Sequence, residues 1–280
     1  MNPFAATLRQ HLVIAALLLA AALAVFWPTL GWMAERFTAP DSFYSHGWLI
    51  PFASAWLAWQ RREMLQERDL RGSLWGFALL IPALALHTLA VAWHIGFLSG
   101  FAMVAAMWGL VWTCGGLHAL RILRVPLAFL FFMVPLPGTV LLETSFRMKL
   151  VAADWAARVL HVIGIPAQQG GSIIIVPGLR VVVDDTCSGL RSLISLMALA
   201  VLWAAAVLPR SARLWQRMVL VASSIPIALV ANAIRIVVLV LLGTLYGPRV
   251  AEGFVHTGSG LLLFSVALLA LAGVGHLVRR

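Results

Sequence analysis

Along the chain, apolar stretches of membrane-crossing length alternate with short breaks that hold most of the charge. A helix rising about 1.5 Å per residue needs roughly 20 apolar residues to cross a hydrocarbon core about 30 Å thick. On that measure the pattern predicts about eight spans, near residues 11–33, 43–60, 74–93, 95–115, 126–142, 188–208, 217–242 and 257–277. The first stretch has a signal-like look, with Ala22-Leu23-Ala24 as a cleavage-like tripeptide. Apolar residues continue through Val25-Phe26-Trp27 and further spans follow, so a retained helix is expected.

Residues 143–186 depart from this rhythm. Glu143, Arg147, Lys149, Asp154 and Arg158 are spaced among Leu150, Val151, Trp155, Val159 and Leu160, the pattern of a helix lying on the membrane interface. It is expected on the outer surface. Behind it, β-branched runs on either side of Pro177-Gly178 predict a β-hairpin within 170–183, just before the sixth span. Such a hairpin would present an edge to an extended peptide; a plain connector is the alternative. The expected fold class is all-α and polytopic, one integral-membrane domain over 1–280. Residues 1–142 would hold the first five spans, 143–186 the outer-face segment and 187–280 the last three spans.

Composition agrees: 62% of residues are hydrophobic and 11% charged, against about 45–50% and 25% in soluble domains. Soluble folds are excluded. The net charge of +10 would suggest nucleic acid in a soluble chain, but here it fits loops facing anionic headgroups, and no nucleic-acid partner is expected. With the N-terminus inside, the cytoplasmic side collects Arg9, the Arg61 to Arg71 loop, Arg121, Arg124, the Arg210 to Arg217 loop, Arg279 and Arg280. Its only acids are Glu63, Glu67 and Asp69. That asymmetry supports an even number of spans with both termini cytoplasmic.

On this topology Cys114 and Cys187 face opposite sides and do not bridge. Cys114 sits at a cytoplasmic helix end and reads as packing. Cys187 faces an oxidising compartment at the start of a helix, where the exposed amides favour thiolate over thiol. It is either a nucleophile or a small buried apolar group. Arg235 lies inside the seventh span, where a cation costs on the order of 2.5 kcal/mol or more without a partner. It is a functional candidate or a side chain reaching for the headgroups. Asn232, three residues earlier, shares its face and can orient the guanidinium. Arg191, four residues after Cys187, carries the same argument less strongly.

His256 is expected at the outer mouth of the last span, level with Cys187, as a partner for the thiol's proton. The other histidines are scattered singly, without metal-ligand spacing. No metal and no cofactor is expected, and His46 in Tyr44-Ser45-His46-Gly47 is the one least readily assigned to packing. A thiol, a cation and an imidazole brought together from three helices suffice for acyl transfer.

Tyr44-Ser45-His46-Gly47, Asp185-Thr186-Cys187-Ser188-Gly189, Asn232-Ala233-Ile234-Arg235 and the late His256 together resemble the exosortase/archaeosortase family over nearly the whole chain. The resemblance implies a cysteine peptidase or transpeptidase of the bacterial inner membrane, its site facing the periplasm. Its substrates would be membrane-anchored proteins with a C-terminal sorting signal: a Pro-Glu-Pro motif, a transmembrane helix and a basic tail. Cys187 would be the nucleophile, His256 the general acid/base and Arg235 the third catalytic member, with Arg191, Asn232, Ser188 and His46 in support. The competing class is a transporter or lipid-binding protein whose Arg191 and Arg235 hold an anionic substrate. A serine or metal-dependent intramembrane protease is the third, with Ser259 its one serine candidate.

Overall fold

The structure is a computed structural model. It describes residues 17–279 except 19, 41, 67–70, 184–187, 210 and 248–253; of 254–257 and 259 it describes the backbone alone. In chain order the helices are α1 (Trp27–Thr38), α2 (Ile50–Trp59), α3 (Arg62–Gln66), α4 (Phe77–Ala92), α5 (Gly96–Phe129), α6 (Gly138–Val162), α7 (Leu190–Ala206), α8 (Leu214–Tyr246) and α9 (Phe254–Arg279). Turns of 3-10 helix occupy Ser45–Leu49, Leu74–Gly76 and Leu130–Met133, and the strands are β1 (Gln168–Gly170), β2 (Ile173–Val176) and β3 (Leu179–Val182). Two compact units form, Met1–Ala39 with Ala58–Pro135, and Pro40–Leu57 with Leu136–Arg280.

Four helical stretches are long and apolar enough to cross a membrane: Leu74–Ala92, Gly96–Met133, Leu214–Tyr246 and Gly260–Arg279, with Leu190–Ala206 a shorter apolar helix. They match the expected spans near 74–93, 95–115, 217–242, 257–277 and 188–208. The chain is a polytopic membrane protein, but eight such helices are not found among the described residues. The window 43–60 is a 3-10 turn followed by the ten-residue α2. The window 126–142 is not one helix: α5 and its terminal turn end at Met133, and α6 starts at Gly138. Pro135 and Pro137 lie between; each lacks an amide donor and disfavours helical backbone in the residue before it. The first window lies partly outside the described residues.

In the first unit α4 and α5 pack backbone to backbone. A Cβ built on Gly109 would stand 2.8 Å from the Leu80 nitrogen, so only glycine permits this approach. The α5 axis breaks at Gly116 (φ 72°, ψ −177°), where the Arg71 carbonyl oxygen fills the space a side chain would need. The expected boundary at residue 115 falls on this break. A buried polar chain ties three segments of the unit: Thr29 Oγ1 lies 2.6 Å from Ser99 Oγ, which lies 2.7 Å from His87 Nδ1, and His87 Nε2 donates to the Val25 carbonyl at 3.0 Å.

In the second unit α6 is amphipathic, as its sequence pattern predicts. Ser145, Ala152, Ala153, Ala156 and Leu160 are buried, while Glu143–Arg147 and Asp154–Arg158 pair on the exposed side at 2.7 and 2.9 Å. Small residues let the α6 backbone approach α8. The hairpin is present, β2 against β3 with Ile173 opposite Val182 and Val176 opposite Leu179, turning at Gly178 (φ 77°). A third strand, β1, adds Gln168 opposite Ile175; the expectation had merged Gly170 into the following run. Ile174 and Val176 are buried with α6 residues Ala152 and Leu160 and α8 residues Ile236 and Val240. This cluster, which includes Val183, anchors the chain just before residue 184.

The last three helices bury Leu196, Ala200, Leu220, Ala228, Ala267 and Leu271 together. Arg217 donates to the Ala204 carbonyl in the last turn of α7 at 2.6 Å and to the Pro209 carbonyl just beyond it at 3.0 Å, setting a cation at the C-terminal end of that helix. Gln216 bridges the start of α8 to the end of α9 by accepting from its own helix's Arg213 amide and donating to the Val278 carbonyl.

Candidate functional site

Of the candidate residues, Ser188, Asn232 and Arg235 lie close together within the second unit, where the start of α7 meets the C-terminal half of α8 and the first turns of α9. Gly189 precedes α7 with φ 77°, a backbone conformation costly to residues bearing a Cβ. A Cβ there would also stand 2.9 Å from Asn232 Cγ. Position 189 is therefore glycine for two reasons, strain and close approach to Asn232. Ser188 is buried, 1% exposed, and its hydroxyl accepts from the Leu190 amide at 3.3 Å, a local bond that fixes the turn into the helix.

Asn232 is buried and Arg235, one turn on along α8, is half-buried. The guanidinium faces α9, where a Cβ on Gly260 would lie 3.6 Å from Arg235 Cζ. Ser192, Asn232, Arg235 and Gly260 form the polar end of a small interhelical cleft, open at its mouth. Leu196, Ala228, Ala231, Leu263, Phe264 and Ala267 form the rest. In the structure, then, Arg235 lines a cleft between α7, α8 and α9.

His46 reaches the same helix from a distant part of the sequence. Its Nδ1 lies 3.1 Å from Ser195 Oγ on α7, and its ring stacks on Tyr44 at 5.9 Å and 24°. Tyr44 is held in turn, its hydroxyl accepting from the Leu136 amide at 3.2 Å. His46 Nε2 is buried with no hydrogen-bond partner among the described residues. Ser195 lies four residues after Arg191 and three after Ser192, so one side of α7 carries the arginine, the serine of the cleft and the serine that meets His46.

Of the other expected site residues, Cys187 lies outside the described residues and His256 is described by its backbone alone. That backbone carries position 256 in the first turn of α9, one turn before Gly260. Among the described residues no cluster of His, Cys, Asp and Glu has the make-up of a metal site. Sequence reasoning missed Ser192, Ser195 and Gly260. The serines have a visible signal in their spacing from Ser188 and Arg191; Gly260 has none, because its importance lies in what faces it.

The arrangement places a guanidinium, a carboxamide and hydroxyls at the polar end of a cleft, beside the glycine that directly follows Cys187-Ser188. Hydrogen-bond donors held in such a partly buried cleft suit a developing oxyanion or a carboxylate. No curated protein and no solved structure matches the chain. Residues 32–273 match the family described as transmembrane exosortase, Exosortase_EpsH, which covers most of the sequence and all the candidate positions; the chain belongs to that family.

Proposed function

We propose that this protein is a membrane-interface cysteine peptidase or transpeptidase that processes C-terminal sorting signals of exported, membrane-anchored proteins. The observation that carries the reading is the meeting of Gly189, Asn232 and Arg235 at one end of the bundle, in a chain of the exosortase family. In the proposed reaction the Cys187 thiolate attacks the scissile carbonyl carbon, a C–S bond forms and the carbonyl electrons move onto oxygen. The oxyanion collapses, the C–N bond breaks, and His256 gives the leaving amine its proton. The thioester is then resolved by water or by an amine, with His256 taking the incoming proton. Arg235 stabilises the oxyanion or receives a substrate carboxylate, and Asn232 positions it. Ser188, Arg191 and His46 support the site.

The same reading has both termini cytoplasmic in a bacterial inner membrane, with the site toward the periplasm. The scissile bond then lies just outside a substrate helix whose basic tail remains inside. Mass spectrometry of a substrate protein's mature C-terminus tests it: wild type yields a shortened chain, as the free acid after hydrolysis or extended by the acceptor after transfer. Cys187→Ala yields only the full-length chain, and shortening by that variant would overturn the proposal. A transporter using the arginines would leave the substrate protein untouched in both.

A further inference from the structure

β3 is an edge strand with one side of its backbone unused. The sheet order is β1-β2-β3, so β2 pairs with one side of β3 and the other side is open. The Val183 amide donates to the Ser172 carbonyl at 2.8 Å, and bonded pairs alternate along an antiparallel ladder. With Ile174 opposite Val181 and Val176 opposite Leu179, residues 179, 181 and 183 turn their backbone groups toward β2. Those of Arg180 and Val182 point away from it, and they have no partner among the described residues. The strand is nonetheless fixed in place. Leu179 and Val181 pack against the cluster that joins α6 to α8, and Val183 is buried within it, while Arg180 and Val182 are exposed.

An unused strand edge accepts another extended chain, and position decides which. Cys187 follows Val182 by five residues, a reach of at most about 18 Å, so an extended peptide lying along β3 arrives at the thiol within a few residues. The opposite edge is less suited. β1 ends 17 residues before Cys187, and its Gln169 side chain is committed to the Leu150 and Gly171 carbonyls at 3.1 and 3.0 Å. A second copy of this chain is opposed by charge: a two-fold pairing of β3 with itself sets both Arg180 side chains on one face, opposite each other or one diagonal apart.

We propose that the outer edge of β3 binds the substrate's backbone, the residues just before the scissile bond adding to the sheet as a further strand. The proposal rests on the peptidase reading, which also sets the direction. After β3 the chain runs through Cys187 into α7, and the substrate runs through its scissile bond into its own helix, so the two strands are parallel. In a parallel ladder the substrate residue beside Val181 gives its amide to the Arg180 carbonyl and accepts from the Val182 amide. The residues on either side of it turn their amides and carbonyls outward. Recognition therefore runs through alternate backbone groups, and it holds the scissile bond at the end of the strand.

Peptides spanning the scissile bond, located from the processed product, are N-methylated at one non-proline residue at a time. Their binding to full-length Cys187→Ala protein in detergent is read by fluorescence polarisation, alongside cleavage by the wild type. N-methylation should weaken binding about tenfold at every second residue before the bond and little at the residues between, because only alternate amides donate to β3. Val182→Pro removes one outward amide and leaves the β2 ladder its bonds, and it should weaken the unmodified peptide by about as much. Equal sensitivity at neighbouring residues, or none at any, overturns the proposal whatever that variant does. So does a wild type that is dimeric where Val182→Pro is monomeric, since a second copy would then own the edge. The two ideas fail separately: cleavage without the alternation ends the edge proposal alone, and alternating binding without cleavage by the wild type ends the peptidase reading alone.

Discussion

Each compact unit contains a histidine held by a serine hydroxyl, and the two pairs differ in what is left over. His87 is closed: Nε2 donates to the Val25 carbonyl, which leaves Nδ1 to accept from Ser99, and Thr29 completes the chain behind it. All three side chains are 6% exposed or less. His46 is open, with Nδ1 at Ser195 and a buried Nε2 that bonds nothing described. An unsatisfied buried polar atom costs about 1–3 kcal/mol. A fold that keeps one beside the helix bearing Arg191 and Ser192 holds capacity for a group that arrives later. A full hydrogen-bond count suits packing, and an incomplete one on a ring that meets α7 leaves capacity to bind.

That contrast makes measurable claims, the largest at the entry to α7. Gly189→Ala forces a Cβ onto Asn232 in a left-handed backbone, and a shift of about 1 Å in a reacting group costs on the order of 100-fold in rate. Processing should fall by about that factor while the protein still inserts and folds; a wild-type rate would separate the Gly189–Asn232 contact from the chemistry. Next, His87→Ala should lower thermal stability in detergent by about 2 kcal/mol or more, because it opens a cavity and takes the imidazole partner from the Ser99 hydroxyl and the Val25 carbonyl. Activity per folded molecule should not change. His46→Ala should do the reverse, with processing down about tenfold and stability little altered. If both variants lose stability alike at constant specific activity, the distinction between the two histidines fails.

Much of the fold was legible in the sequence because burial in a membrane protein is written in hydropathy. The long apolar helices, the amphipathic α6 and the turn at Pro177-Gly178 all follow from local pattern. Window hydropathy failed at 126–142, since it averages over Pro135 and Pro137 and cannot register a lost amide. At 43–60 it averages Tyr44, His46 and Trp48 into an apolar run, although Tyr44 caps and His46 and Trp48 form a 3-10 turn before a short helix. The site was legible in part for a similar reason. Asn232 with Arg235 is a spacing within one helix, so chemistry alone singles it out. His46 with Ser195 joins residues 149 positions apart, and no local period announces such a pair. His87 and His46 look alike in sequence; only their partners tell them apart.

The smallest effect expected is at Ser195, and it bears on how His46 works. The Ser195 hydroxyl touches the imidazole at Nδ1 and is three residues from the cleft serine, so its contribution passes through the ring it orients. Ser195→Ala removes one hydrogen bond of about 1 kcal/mol, and processing should fall only a few-fold with stability nearly unchanged. In the His46→Ala background the same substitution should have no further effect, because there is no ring left to orient. A double-mutant cycle on processing rates measures this directly. Additive losses would show that Ser195 acts on its own, through the wall of the cleft, and His46 would then lose its claim to be the residue that this side of α7 was built to hold.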